Sequence, residues 1–466
     1  MGGIMSNIKY SPEEPICAVA TALAPAALGI VRCSGKNCIE LVAKLFSRPK
    51  ALRQSLGNTV VYGWLCDGDV KIDEVMIAVY RAPKSFTGEN MVEIFCHGGP
   101  GVVMAILALL IKNGFKQAER GEFTFRAFIN GKADLTKAEA VREIIDSKTF
   151  EGRSRAAGRL AGNLAQEINE IKKLITDTIA SIEVEIEYPE DEETIAESFN
   201  HSDLETAAQR LESLAKSWQG EKLYQDGARV VLCGRTNAGK SSLFNAILKE
   251  DRAIVSDIEG TTRDWLESFV DFGGIPIRLF DTAGLRQTDD VIEAHGVTLT
   301  HSLSEDADVV VYLCDSANSI AQDDFDFLES CKEPIVFAWN KCDVIKDLPN
   351  LSEQEKKRIP LLKSEIHLSA KNGNGLNLLY DAVKKILMNG TVEEHAHAGL
   401  GSARQKTAVE EALESVRHSL LVAHDFTLDA VVQDLEDALN SLGEITGEVT
   451  SDDVLESIFS RFCVGK

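Results

Sequence analysis

The chain has 466 residues, enough for about three domains at the usual ~100–200 residues each, and its 44% hydrophobic content is that of an ordinary globular protein. Asp and Glu outnumber Lys and Arg by 73 to 49, and the resulting net charge of −24 excludes nucleic-acid binding through a broad basic face, leaving a local patch or a partner for any such contact. Ten cysteines lie scattered without a C-x-x-C pair and the longest apolar run, Val102 to Ile111, has ten residues, so reduced thiols, no membrane span and a cytoplasmic location are expected.

In chain order, residues 16 to 96 carry apolar, β-branched runs at Ile16–Ala20, Leu28–Cys33, Val60–Trp64, Val75–Tyr80 and Met91–Cys96, separated by Gly, Pro, Asp and Ser clusters. Helical stretches at Cys38–Phe46 and Val102–Lys112 complete an α+β pattern over residues 1–132. Arg32, Glu93 and His97 are polar residues at its strand ends. From residue 133 to 225 the pattern is helical. Leu160, Leu164, Ile168, Ile171, Ile175, Ile179 and Ile182 recur at steps of four and three, which predicts one stripe of a long amphipathic helix. An acidic turn around Tyr188-Pro189 ends it, and a second helical stretch runs from Leu204 to Trp218.

Strands then alternate with helices over residues 226–388, the mark of a parallel sheet covered on both faces. The apolar run Arg229–Cys233 leads into Gly234-Arg235-Thr236-Asn237-Ala238-Gly239-Lys240-Ser241, which fits G-x-x-x-x-G-K-[ST]. Such a loop bends at its glycines and points backbone N–H groups at a phosphate, with Lys240 reaching the β/γ-phosphates and Ser241 on Mg2+. A D-x-x-G run, Asp281-Thr282-Ala283-Gly284, follows the strand Ile275–Phe280, then come N-K-x-D at Asn340-Lys341-Cys342-Asp343 and S-A-K at Ser369-Ala370-Lys371. The Asp343 carboxylate accepts from the N1–H and exocyclic amine of guanine, and the Ala370 N–H suits the guanine oxygen, so GTP is favoured over ATP. The four ordered motifs resemble the translation-factor-related class of GTPases. Hydrolysis usually calls for a Gln to align water and an Arg against the transition state, whereas Leu285 follows Gly284 here. The natural switch is the segment Ala253 to Asp264, with Thr262 a candidate Mg2+ ligand.

Helical patterning returns over residues 389–466, with one stripe at Val409, Leu413, Val416 and Leu420 and another at Leu428, Val431, Leu435, Leu439 and Leu442, capped between them by Asp425 or Thr427. The simplest packing joins these helices to those before residue 225, making the α/β P-loop domain an insertion in a discontinuous all-α domain. Gly390 to Gly401, with His395 and His397, reads as an exposed linker rather than a metal site.

The switch segment, Asn237, the motifs Ser85-Phe86-Thr87-Gly88-Glu89, His97-Gly98-Gly99-Pro100 and Gly121-Glu122-Phe123-Thr124, and above all the terminal Phe462-Cys463-Val464-Gly465-Lys466, resemble the MnmE (TrmE) family of tRNA-modification GTPases over essentially the whole chain. The resemblance implies a GTP site drawing on Asn237, Ala238, Gly239, Lys240, Ser241, Ser242, on Ser256, Asp257, Ile258, Glu259, Gly260, Thr261, Thr262, and on the three later motifs. It implies K+ held by Asn237, Ser256, Ile258 and Thr261 in place of an arginine, with Glu293 orienting the attacking water. It further implies a homodimer binding a tetrahydrofolate derivative (5-formyl- or 5,10-methylene-) through Arg32, Glu93, Lys132 and Lys466, beside a nucleophilic Cys463. The partner so implied is the flavoprotein MnmG, in a heterotetramer bringing FAD and NADH to the wobble uridine of tRNA. Where the family has a Gly-rich basic loop before this arginine, this chain has Leu23-Ala24-Pro25-Ala26-Ala27-Leu28. A ribosome-assembly GTPase of the Era-like class and a non-catalytic GTP-dependent scaffold are the alternative readings.

Overall fold

The computed structural model describes residues 14–187, 201–249, 266–281, 307–388, 398–422 and 428–466. Its contacts divide into two compact units, the first made of residues up to 142, 160–207 and 411–466, the second of 143–159 and 208–410.

In the first unit, six strands form one sheet: β1 (Ile16–Val19), β2 (Ala26–Ser34), β3 (Thr59–Asp67), β4 (Val70–Tyr80), β5 (Met91–Gly98) and β6 (Lys116–Gln117), in the order β3-β4-β5-β2-β1-β6. Alternation decides its faces. Val31 and Cys33, Val75 and Ile77, and Val92 and Ile94 point to one side and pack with the helices Cys38–Lys44 and Pro100–Lys112 in one apolar core. The opposite face carries Val60, Tyr62, Met76 and Leu28, which are 62, 53, 44 and 54% exposed. Register places Tyr62, Met76, Phe95 and Ile30 in one cross-strand row and Val60, Ala78, Glu93 and Arg32 in the next.

The helical stripe holds from Leu164 to Ile182, all buried on the helix Asn163–Glu187, which packs with the helix Leu428–Thr446 through Val431, Leu435 and Leu442. Leu160 departs from the expectation. Gly162 takes φ 103°, a conformation that breaks the helix, so Leu160 ends the separate helix Phe150–Ala161 and is 38% exposed. The capping positions Asp425 and Thr427, and the histidines 395 and 397, lie outside the described residues.

The second unit holds the other sheet, of β7 (Ala228–Gly234), β8 (Leu266–Phe272), β9 (Ile275–Asp281), β10 (Val309–Asp315), β11 (Ile335–Asn340) and β12 (Leu362–His367), ordered β12-β11-β10-β7-β9-β8. All neighbours are parallel except the hairpin β8–β9, and the helices between strands cover both faces. The fold class is thus an α+β N-terminal part, a discontinuous all-α part and an inserted α/β P-loop part. Among the described residues no helix is long and apolar enough to cross a membrane.

Within the second unit a buried ion network joins three chain segments. Arg155 Nη1 donates to Glu221 Oε1 (2.6 Å), Arg159 Nη1 to Glu221 Oε2 (2.8 Å) and to the Gly399 carbonyl (3.2 Å), and Arg159 Nε to Glu143 Oε2 (2.7 Å). Burial works against the Arg159 charge, but Glu143 and Glu221 outweigh it and raise its affinity for the proton. Gly399 to Gly401 is therefore not the exposed linker expected: Leu400 is fully buried, and a Cβ at Gly401 would sit 2.1 Å from Glu143 Oε1. Because removing one partner strands buried charge, Glu221→Ala is expected to cost about 3 kcal/mol. Unfolding in urea, followed by circular dichroism, should show the transition at lower denaturant.

Candidate functional site

Strand β7 is buried and paired on both edges, by β9 and β10, so its end is fixed before the phosphate loop begins. Gly234 turns the chain at φ 131°, where a Cβ would lie 2.2 Å from the Leu313 carbonyl, and Gly239 takes φ 100°, where a Cβ would lie 2.1 Å from Asn340 Nδ2. Only glycine fits either place. The helix Lys240–Ile247 starts directly behind, held by the buried Leu243, Phe244 and Ile247, with Ser241 and Ser242 exposed on its first turn. Lys240 Nζ lies across the loop, donating to the Gly234 carbonyl at 2.6 Å and the Arg235 carbonyl at 2.9 Å. Asn237 is exposed with left-handed backbone, φ 64°, and Asp281 ends β9, buried and in register with Leu232 of β7.

The two later motifs meet this loop through one side chain. Asn340 is buried at the end of β11; its Nδ2 donates to the Ala238 carbonyl (2.8 Å), and its Oδ1 accepts from Lys341 N (2.8 Å) and Ala370 N (3.0 Å). The Ala370 N–H, assigned from sequence to a guanine oxygen, is thus engaged by Asn340. Lys341, at φ 64°, sends its Nζ to Asp315 Oδ2 at 2.7 Å. Ser369 Oγ donates to Asp343 Oδ1 at 2.6 Å, and this bond holds the exposed Asp343 carboxyl below the usual carboxylate range. Cys342 is half-buried and Lys371 exposed beside them. Ser256, Asp257, Ile258, Glu259, Gly260, Thr261, Thr262, Thr282, Ala283, Gly284 and Glu293 lie outside the described residues.

A second polar site sits on the open face of the first sheet. Arg32 and Glu93 face each other across β2 and β5, with Arg32 Nε and Nη2 at 2.9 and 2.7 Å from Glu93 Oε1. The C-terminal residues come to the same place: Arg32 Nη1 donates to the Gly465 carbonyl (3.2 Å), Phe123 N donates to the Lys466 carbonyl (3.2 Å), and Val464 bridges Arg120. Gly465, at φ 94°, passes so close that a Cβ would lie 2.4 Å from the Val19 carbonyl. Burial first, then the Arg32 charge, hold the Lys466 ammonium below the usual lysine range, against Glu93 and Cys463. Lys132 is exposed, and a Cβ at Gly88 would be 3.2 Å from its Cγ.

Three residues of this site had no role from sequence. The Arg32 guanidinium lies 5.5 Å from the Phe86 ring centroid and 5.7 Å from that of Phe123, and Tyr80 OH donates to Glu93 Oε2 at 3.1 Å. The two phenylalanines stand inside Ser85–Glu89 and Gly121–Thr124, so the motifs were visible and the contacts were not. Of the ten cysteines Cys463 alone is exposed, while burial pushes the Cys17 thiol up to about 12 and the Cys96 thiol to about 11.

Comparison with known proteins supplies the family. Residues 15–132 match the family described as GTP-binding protein TrmE N-terminus, and residues 135–463 match the MnmE helical domain. Relatives from several organisms carry the description tRNA modification GTPase MnmE. That of Treponema denticola is 51% identical over 98% of this chain and 99% of its own length. That of Treponema pallidum is 42% identical over 98% and 99%, and that of Borrelia turicatae 39% identical over 99% and 100%.

The Ser369–Asp343 bond makes a measurable prediction. Ser369→Ala removes the first cause of the depressed Asp343 carboxyl, so its titration midpoint, read by carboxyl NMR chemical shifts, is expected to move upward.

Proposed function

The chain belongs to the MnmE (TrmE) family of tRNA-modification GTPases, and from that premise we propose that it is a K+-stimulated GTP hydrolase acting in the cytoplasm with the flavoprotein MnmG. On this reading the pair installs an aminomethyl- or carboxymethylaminomethyl-type group on C5 of the wobble uridine of certain tRNAs. The observation that carries it is the C-terminal tail seated on the first sheet, where Arg32 Nη1 donates to the Gly465 carbonyl two residues beyond the exposed Cys463.

In the nucleotide site, Lys240 would leave its two carbonyls for the β/γ-phosphates, and Asp343 would accept the two guanine donors. The Ala370 N–H would meet the guanine oxygen only by sharing or leaving Asn340 Oδ1. The exposed Ser241 hydroxyl and the buried Asp281 carboxylate are hard oxygen donors that suit Mg2+, with Thr262 as the further ligand. Asn237, whose left-handed backbone leaves its amide exposed at the loop, offers an oxygen that suits K+, together with Ser256, Ile258 and Thr261. The cation would supply the positive charge that an arginine supplies elsewhere, and Glu293 would orient the attacking water.

In the first unit, the Arg32–Glu93 pair between Phe86 and Phe123 combines hydrogen-bonding groups with aromatic faces, which suits a flat heterocycle such as a tetrahydrofolate derivative. Lys132 and Lys466 would flank it and Cys463 would act as nucleophile. Support for a homodimer comes from the adjoining apolar row Tyr62, Met76, Phe95 and Ile30, an open sheet face of the kind that a second copy covers.

GTP turnover in K+ is expected to exceed that in Na+ about tenfold or more, and Asn237→Ala to remove the difference, as a phosphate-release assay reads directly. Equal rates in the two salts would sink the potassium mechanism. Cys463→Ser should abolish the uridine modification, measured by mass spectrometry of tRNA nucleosides from a complemented deletion strain, and leave GTP hydrolysis intact. Unimpaired modification would remove Cys463 from the chemistry.

A further inference from the structure

Arg235 stands inside the phosphate loop, at the second position of its motif, and the proposed chemistry gives its side chain no task. The structure ties that side chain to the helix Gln322–Ser330. Arg235 Nε forms an ion pair with Asp324 Oδ1 at 2.9 Å, and its Nη2 donates to Oδ2 of the exposed Asp323 at 3.4 Å. The two contacts differ in kind. An ion pair with an exposed carboxylate contributes little, whereas the Asp324 side chain is 3% exposed and its charge demands satisfied partners.

Those partners are fixed ones. Asp324 Oδ1 also accepts from the Tyr312 hydroxyl (2.6 Å), on the buried middle of β10, and Oδ2 accepts from Ala321 N (2.8 Å), at the helix start. The carboxylate is therefore anchored to the sheet on one side and to a helix end on the other. Arg235 brings the phosphate loop to it. The main chain of the same residue sets the loop's turn, because the Arg235 carbonyl accepts from Ala238 N (3.3 Å) and from Lys240 Nζ (2.9 Å). One residue thus links a buried anchor to the carbonyl that holds the motif lysine.

We propose that Asp324 is a positioning residue for the phosphate loop, holding it through Arg235 in the conformation that receives a triphosphate. The inference rests on the GTP-binding reading and deepens it. A loop already ordered loses less on binding than one that must order as the ligand arrives, so the clamp acts on nucleotide affinity rather than on the chemical step. Asn at position 324 keeps the shape, its one oxygen accepting from Ala321 N and its NH2 donating to the Tyr312 hydroxyl oxygen, while it loses the charge that Arg235 needs.

The test is a double-mutant cycle in the full chain, read by titration with a fluorescent GTP analogue and by GTPase kinetics. Asp324→Asn and Arg235→Met are each expected to weaken binding and raise KM about tenfold with kcat preserved, and the double variant to be no worse than either, the scale and sign of coupling between contacting residues. Arg235→Lys, which keeps the charge, should recover part of the loss. Tyr312→Phe removes one of the two anchors of the same carboxylate and leaves the Arg235 pair itself in place, so it should lower the melting temperature and weaken GTP binding clearly less than Asp324→Asn does. Unchanged affinity in Asp324→Asn, additive losses, or an equal loss in Tyr312→Phe would each overturn the proposal. A parent chain that binds no guanine nucleotide would instead overturn the GTPase reading on which it stands.

Discussion

The buried carboxamide of Asn340 is the point on which the nucleotide-binding end of the second sheet depends. A polar side chain taken out of water is costly unless its donors and acceptors are met, and Asn340 meets them by bonding its own neighbour Lys341 and two distant stretches of chain, Ala238 in the phosphate loop and Ala370 in the fourth motif. Misplacing any of the three leaves a buried group unsatisfied. The requirement reaches back into the sequence as Gly239, since no side chain fits between that backbone and Asn340 Nδ2. Three of the four motifs are thereby one object, and the parallel order β11-β10-β7-β9 brings the strand ends to the same edge.

The first unit solves a similar problem by closing the chain on itself. Arg32 and Glu93 are brought opposite each other by strand register, and the last turn of the chain adds the Gly465 carbonyl to the same guanidinium. This contact joins residues 433 positions apart, and it holds because Gly465 passes flush against Val19 while Phe459 and Phe462 pack with Phe125 behind it. A charged pair largely shielded from water, flanked by aromatic rings, is a more selective surface than either charge alone.

What the sequence made legible follows from what each signal encodes. The six apolar positions from Leu164 to Ile182 fell on one buried face because periodicity reports a continuous helix directly; Leu160 failed because one left-handed glycine cancels the phase. The nucleotide motifs were readable because each lies within a few residues of one loop. Arg155, Arg159, Glu143 and Glu221 were not, because charged residues at helical spacing look like a solvated face, and nothing local says that their charged partners lie up to 66 positions away. The tail on Arg32 was foreseen only as a family resemblance, for no local pattern connects residue 465 to residue 32.

The placement of positive charge bears on how so acidic a chain can serve a tRNA reaction. With a net charge of −24 the field at long range repels a polyanion. Three of the cations near the two sites are committed to carboxylates of the same chain: Arg32 to Glu93, Lys341 to Asp315, and Arg235 to Asp324. Each such pair is locally neutral, so its worth lies in geometry rather than in attraction at a distance. On the proposed reading the partner, rather than this chain's own long-range field, would bring the nucleic acid to the site.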